Sequence, residues 1–382
     1  MSATRARAFW LIFLPAAAYQ GLAIFAALRH RAKQRASRRS FHYRLPVSVL
    51  KPVRGTESGT YAAFVSQVQQ DYPEYEVLFG ASEDTDPAVN EVRRLKEEFP
   101  DANVRLIVGS RPASNRKVGV LMQLAGQARH EVWVVNDGDI KVGRDYLSEV
   151  TAPLADRSVG VVTCPYRVRA RGWADAWEGF GIATDFIPST LVASLIGVRD
   201  FGLGSTLAFR AADLERAGGF AGISEYLADD YHLAKKISRL GKRVVLSTYV
   251  VETSLGDPSW TGSWLHQLRW ARTIRRSKGA GFAGLPITQA GVWITVALAT
   301  GAFVPAAILA GLRVASALVS GSVLGSASTA ALALLAPAWD LYAFAVWIVA
   351  YMGQEVRWRH LILKIDSEGR ISQLFEVGER NA

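Results

Sequence analysis

Two carboxylates separated by one glycine, Asp137 and Asp139, close the apolar run WVVNDGDIKV at 133–142. Like charges that close repel, and each raises the pKa of the other unless a cation lies between them. A hard divalent ion, Mg²⁺ or Mn²⁺, suits such a pair, because it binds through one or two carboxylates and completes its shell with substrate phosphates. There it would act as Lewis acid on a departing diphosphate. Taken alone, Asp-Gly-Asp fits a solvated turn equally well, so its meaning depends on the rest of the chain.

Two later stretches carry groups of the same kind. EYLADDYHLAKKISRLG, 225–241, reads as a helix with Asp229 and Asp230 in its first turn. The helix dipole favours carboxylates there, and one lying at the floor of a cleft can serve as general base. SWLHQLRWARTIRR, 263–276, reads as a helix with Arg269, Arg272 and Arg276 on one face. Arginine chelates phosphate oxygens, and Trp270 can stack on a ring or pack a lid. The same pattern also describes an amphipathic helix lying on anionic lipid.

The elements that would position these residues are short and alternate in type. VSVLKPV (47–53), YEVLFGAS (75–82), NVRLIVG (103–109), EVWVVND (131–137) and VGVVTC (159–164) read as strands. PAVNEVRRLKEEFP (87–100) and RKVGVLMQLAGQA (116–128) have helical periodicity. Such alternation implies an α/β domain with a mostly parallel sheet covered on both faces. Ligands bind beyond the carboxyl ends of such strands, where Asp86, Asp137 and Asp139 fall. No Walker A loop is present, and no GxGxxG turn follows a strand-like run.

Half of the 382 residues are hydrophobic, and the net charge of +10 is concentrated in two places. Seven Lys/Arg and no acid lie between Arg29 and Arg44, and five more between Trp260 and Lys278. The first patch comes directly after an uncharged run, Phe9–Leu28, long enough to span a bilayer. The positive-inside rule then puts the chain beyond that run in the cytoplasm. Further apolar runs cover Ile287–Leu312, Val314–Trp339 and, more briefly, Leu341–Met352, giving two or three passes. The basic segment VRWRHLILK favours two, which return the tail to the cytoplasm. The expected organisation is an N-terminal membrane helix (8–28), a basic linker (29–44), a cytoplasmic catalytic domain (45–284), membrane or interfacial helices (285–353) and a cytoplasmic tail (354–382). A single cysteine, Cys164, excludes a disulfide framework and cysteine-based metal sites. Both basic patches have membrane-side explanations, so no nucleic-acid partner is expected.

The order Asp86 in EDTDPA, Asp137 in NDGD, Asp230 in LADDY, then HQLRW resembles the D, D, D, (Q/R)xxRW signature of membrane-bound inverting glycosyltransferases with a GT-A, Rossmann-like fold. More narrowly it is similar to the ceramide glucosyltransferase family, including the bacterial hopanoid-biosynthesis-associated glycosyltransferases. VLKPVRG (49–55), QDYPEYEVLFGASEDTDPAV (70–89), AGGF (217–220) and VRWR (356–359) carry the likeness along nearly the whole chain. The resemblance implies that Asp86, Lys117 and Asp137 bind the donor, Lys117 at uracil or phosphate, and that Asp137 and Asp139 hold Mn²⁺ or Mg²⁺. Asp230 would be the base, with Asp229 as its rival. His266, Arg269 and Trp270 would act on the diphosphate or acceptor side. His266 departs from the pattern, which has Gln or Arg there.

The function so implied is transfer of a sugar from a UDP-sugar, UDP-glucose first, to a lipid hydroxyl, ceramide first, giving a β-glycosyl lipid in a single displacement. Transfer of a UDP-N-acetylhexosamine sugar to a hopanoid is the near alternative. A processive polysaccharide synthase and a non-catalytic membrane receptor are the others. The apolar segment 173–204 would meet the acceptor at the membrane interface or form a buried core helix. The setting is a bacterial cytoplasmic membrane, or the Golgi in a eukaryote.

Overall fold

The structure, a computed structural model, describes residues 3–36, 44–257, 259–358 and 361–376, with side chains described from residue 13 onward except at 327, 358 and 376. It divides into two compact units.

The first unit comprises Gln34–Arg169 and Gly197–Gly256, within the described residues. Its strands are β1 (Val47–Pro52), β2 (Tyr75–Ala81), β3 (Val104–Val108), β4 (Val132–Val135), β5 (Val159–Thr163), β6 (Tyr166–Val168), β7 (Leu207–Arg210), β8 (Arg243–Leu246) and β9 (Val251–Thr253). Seven form one sheet in the order β3-β2-β1-β4-β7-β5-β8, while β6 and β9 pair separately. β7 runs antiparallel to both β4 and β5, and the other pairings in the large sheet are parallel. The five expected strands are all present, each within two residues of its expected ends.

Alternation along β2 shows why the sheet must be covered twice. Leu78 joins a core with Val118, Leu121 and Leu124 of helix Arg116–Ala125 and with Leu233 and Ile237 of helix Asp229–Ser238. The next residue, Phe79, turns to the other face and meets Phe64 of helix Thr60–Val68 at 4.8 Å between ring centroids. Both rings are fully buried, and each such burial is worth about 2–3 kcal/mol.

The second unit comprises Ala170–Ile196 with the described parts of Met1–Lys33 and Asp257–Ala382. Segments 170–196 and 257–284 thus pack with the C-terminal helices, a different cut from the expected 45–284 domain. The expected N-terminal span is part of one helix, Ala3–Ala36, which also takes in residues 29–36 of the basic stretch. Residues 37–43 of that stretch, and side chains 8–12 of the span, lie outside the described set. Among the described residues, two helices are long and apolar enough to cross a membrane, Phe303–Leu324 and Ser328–Tyr351. The bent pair Gly279–Ile287 and Ala290–Ala299 makes three if it counts as one span.

The spans are divided differently from the apolar runs. Arg313, which separates the runs ending at Leu312 and starting at Val314, lies inside Phe303–Leu324, and Asp340, which separates those ending at Trp339 and starting at Leu341, lies inside Ala336–Tyr351. They pair with each other at 2.7 Å, both nearly fully buried. The break falls instead at Gly325, whose φ of 63° suits glycine. The tail is not featureless: β10 (Glu355–Trp358), β11 (Leu361–Ile365) and β12 (Ile371–Glu376) form an antiparallel sheet.

Candidate active site

At the carboxyl edge of the large sheet, β4 ends at Val135 and releases Asn136 and Asp137. Because β7 is antiparallel, its beginning lies at this same edge, with Val135 opposite Leu207. Asp137 donates its backbone N–H to the Gly204 carbonyl at 3.2 Å. The loop before β7 is therefore laced to the loop after β4.

Helix Asp229–Ser238 points its N-terminus at this edge. Asp230 Oδ2 accepts the Gly204 N–H at 2.8 Å, and its Oδ1 accepts the N–H of Tyr231 at 2.7 Å. A β-carbon on Gly204 would stand 2.8 Å from Asp137 Oδ2 and 3.4 Å from Asp230 Oδ2. One on Gly202 would stand 2.5 Å from the Asp230 carbonyl. Gly202 is thus required by the close approach of the Asp230 backbone, and Gly204 leaves room for the carboxylates of Asp137 and Asp230. Burial, aided by the charge of Asp229 and opposed by Lys117, pushes the Asp230 carboxyl up to about 6.

Lys117 is the cation between the carboxylates. It lies near the start of helix Arg116–Ala125, capped by Asn115, whose side chain accepts from the Lys117 and Val118 N–H groups. Its Nζ stands 2.7 Å from Asp137 Oδ1 and 2.9 Å from Asp229 Oδ2. Burial alone would lower the pKa of this ammonium, but the two carboxylates outweigh burial and raise it. The structure therefore gives Lys117 two carboxylate partners.

Asp139 receives a hydrogen bond from the Thr253 hydroxyl of β9. Burial, and next the charge of Asp137, raise its pKa. Asp86 caps helix Pro87–Glu98, accepting from Ala88 N–H at 2.9 Å, and the same Oδ1 accepts from Gly55 N–H at 2.7 Å. It thus ties the VLKPVRG loop to the loop after β2.

Lys51 belongs to VLKPVRG but to none of the acidic motifs, although a lysine in VSVLKP, a mostly apolar strand, is itself a signal. Its side chain is fully buried. Nζ donates to Asn136 Oδ1 at 2.8 Å and to the Asp137 carbonyl at 2.7 Å. Burial, only partly offset by Asp139 and Asp137, lowers its pKa to about 7.

The donor set at Asp137 and Asp139 fits a hard divalent ion: two carboxylates on one loop, with Asp137 partly exposed. No group of three or more acidic, His or Cys side chains in a metal-holding arrangement occurs among the described residues. Substrate phosphate oxygens would therefore have to complete the shell.

His266, Arg269 and Trp270 belong to the second unit, on helix Trp260–Ser277. His266 Nδ1 is hydrogen-bonded to Glu178, a buried residue of helix Trp173–Gly181, and Gln267 Nε2 donates to the same oxygen at 2.9 Å. Trp270 packs against His266 and Phe186, with centroids at 4.7 and 5.3 Å. Arg272 donates to the Glu355 carbonyl and Arg275 to that of Gly353 at 2.9 Å. Two arginines of the basic patch thus bind the chain just after the last helix. Glu178 escaped sequence reading because its partners lie 88 and 89 residues away.

The profile described as Glycosyl transferase family 21 matches residues 8–371. Two ceramide glucosyltransferases of Caenorhabditis elegans are similar in sequence. Ceramide glucosyltransferase 1 is 27% identical over 207 residues, 53% of this chain and 44% of its own length. Ceramide glucosyltransferase 3 is 26% identical over 251 residues, 64% of this chain and 52% of its own. The chain spans about half the length of these relatives. Among solved structures, a mannosyltransferase from Pyrobaculum calidifontis in complex with GDP-Man and Mn²⁺ is similar in fold. Its TM-score is 0.54 at 21% identity, covering 90% of this chain and 98% of that one. The expected α/β fold of GT-A type is borne out.

Proposed function

The chain belongs to glycosyl transferase family 21, and from that membership we propose that it transfers glucose from UDP-glucose to the hydroxyl of ceramide at a membrane, with inversion. The single observation that carries this reading is the convergence of Asp137, Asp229 and Asp230 around Lys117 and Gly204 at the carboxyl edge of the sheet. The names of the similar C. elegans proteins support the acceptor and the sugar.

In this reading Asp230 takes the proton of the lipid hydroxyl. Each of its oxygens already accepts one N–H, and each retains a second lone pair for the incoming O–H. The acceptor oxygen bonds to the anomeric carbon as the carbon–phosphate-oxygen bond breaks, and the electron pair leaves on UDP. One displacement inverts the α-linked donor to a β-glycoside. Asp229 serves a different end, anchoring Lys117 through their ion pair. Asp137 and Asp139 would hold Mg²⁺ or Mn²⁺, which when bound supplies positive charge to the departing diphosphate. Asp86 acts on the donor by fixing the loop at Gly55. His266, Arg269 and Trp270 are assigned to the diphosphate or acceptor side on their match to the HQLRW motif.

Attachment through the N-terminal helix and the C-terminal spans, with the catalytic residues on the cytoplasmic side, accords with the basic stretch after residue 28. The test is mass spectrometry of lipids from membranes carrying the protein. UDP-glucose and UDP-N-acetylglucosamine are supplied together, with ceramide and a hopanoid alcohol, Mn²⁺ or Mg²⁺, and Asp230→Asn as control. Glucosylceramide formed only by the unaltered protein is the expected product. An N-acetylhexosaminyl hopanoid would replace the acceptor and donor, and no product in any combination would overturn the assignment.

A further inference from the structure

The carboxylates of Asp137 and Asp139 leave the sheet from a loop with little regular structure of its own. A buried polar set beneath that loop gives it its shape. The Lys51 ammonium bonds Asn136 Oδ1 and the Asp137 carbonyl, and reaches the Ile140 carbonyl at 3.5 Å. Gln67, from helix Thr60–Val68, donates to the same Ile140 carbonyl at 3.1 Å. Its Oε1 accepts from Asn136 Nδ2 at 3.3 Å, as does the Tyr146 hydroxyl. Tyr146 in turn shares a hydrogen bond of 3.0 Å with Thr206, just before β7.

Lys51 is thus bonded to both ends of the turn, at residues 136–137 and 140, and lies fully inside the fold. A lysine buried there forgoes hydration, so a neutral residue would pack β1 more cheaply unless the ammonium had a task. Three oxygen acceptors converging on one Nζ from a single loop identify that task as shaping the loop. We propose that Lys51 is a positioning residue for the donor-binding carboxylates, holding the backbone from Asn136 to Ile140 so that Asp137 and Asp139 meet a nucleoside diphosphate together. Gln67 is its neutral assistant. The inference rests on the reading of Asp137 and Asp139 as the donor end of the site.

The experiment uses the full chain in detergent or nanodiscs, with UDP as probe in the presence of Mn²⁺. Four proteins are compared: unaltered, Lys51→Met, Gln67→Leu and Asp137→Asn. Lys51→Met is expected to weaken UDP binding at least tenfold and to speed amide exchange in peptide 133–142, leaving peptide 87–98 unchanged. Gln67→Leu should act in the same direction by at least threefold, and it carries the test if Lys51→Met does not fold. A purely structural lysine would lower the melting temperature yet leave UDP affinity of the folded protein unmoved. That result, alongside lost binding in Asp137→Asn, overturns the role of Lys51 alone. Tighter UDP binding in Lys51→Met would also overturn it, since the ammonium would then act as a competing charge. Unchanged binding in Asp137→Asn would instead overturn the reading of the site.

Discussion

Gly204 donates its backbone N–H to Asp230 Oδ2 at 2.8 Å, so the loop entering β7 fixes the direction of the carboxylate assigned as base. The same glycine accepts from the Asp137 N–H through its carbonyl. One residue without a side chain therefore spaces the Asp137 carboxylate from that of Asp230. Gly204→Ala forces a methyl group to within 2.8 Å of Asp137 Oδ2. The atom in the way is the far end of a mobile carboxylate, so the fold should lose only about 1 kcal/mol, at the low end for overpacking. Turnover should fall at least tenfold as the carboxylates are pushed apart. Thermal unfolding and a glycolipid assay on the same preparation separate the two effects.

Asp229 and Asp230 are adjacent but have different partners, and their variants should differ accordingly. Asp230→Asn should lower kcat roughly a hundred- to ten-thousand-fold while UDP still binds. Asp229→Asn removes one of the two ion pairs of Lys117, and it should act chiefly on donor KM. Equal loss of kcat in both variants would contradict the division of roles.

The acid limb of the rate profile provides an independent check. Asp230 must be ionised to accept a proton, and burial sets its pKa at about 6. Activity should therefore be full above pH 7 and fall tenfold per unit below about pH 6. An acid limb near pH 4, where an ordinary aspartate titrates, would show that the base is another group. The profile is best taken as kcat at saturating donor, so that weaker binding at low pH does not imitate it.

Lys117→Met should leave Asp137 and Asp229 facing each other without their ammonium. Breaking a partly buried pair destabilises because the remaining charge stays desolvated. The melting temperature should drop by several degrees, and added Mn²⁺ should restore more of it than it adds to the unaltered protein. Equal Mn²⁺ shifts in the two proteins would mean that ammonium and divalent ion do not compete for this charge.

Much of the fold and site is legible in the sequence, and for identifiable reasons. β1, β2, β4 and β5 are buried along nearly their whole length and so read as largely apolar runs, while β3, at the edge of the sheet, is half-buried yet apolar but for Arg105. Asp137, Asp139, Asp229 and Asp230 announce themselves as paired charges at element ends. β7 and β8, each four residues long, give no such signal: LAFR carries an arginine and RVVL begins with one. Lys51 and Thr253 take their meaning from partners 85 and 114 residues away, which no local pattern encodes. The division of the C-terminal helices departs from the apolar runs because a lone arginine there looks like a boundary when its counter-charge is 27 residues distant.

That arginine supports the last prediction. Arg313 gives Nε and Nη2 to Asp340 and Nη1 to the Thr184 carbonyl, while Asp340 Oδ2 also accepts from Gly291 N–H. A charge inside an apolar span is tolerated when it faces the bundle and is paired. This pair joins helix Phe303–Leu324 to Ala336–Tyr351 and to Thr184, in the π-helical segment Ile182–Phe186 that continues helix Trp173–Gly181 into Ile187–Leu195. Arg313→Met alone leaves a buried carboxylate without its counter-charge and should cost roughly 3–5 kcal/mol. Adding Asp340→Asn removes that charge yet keeps an oxygen for Gly291 N–H, so the double variant should recover most of the loss. Thermal unfolding of the three proteins in detergent decides it. A double variant as unstable as Arg313→Met would show that the Thr184 bond, and not the ion pair, holds the helices.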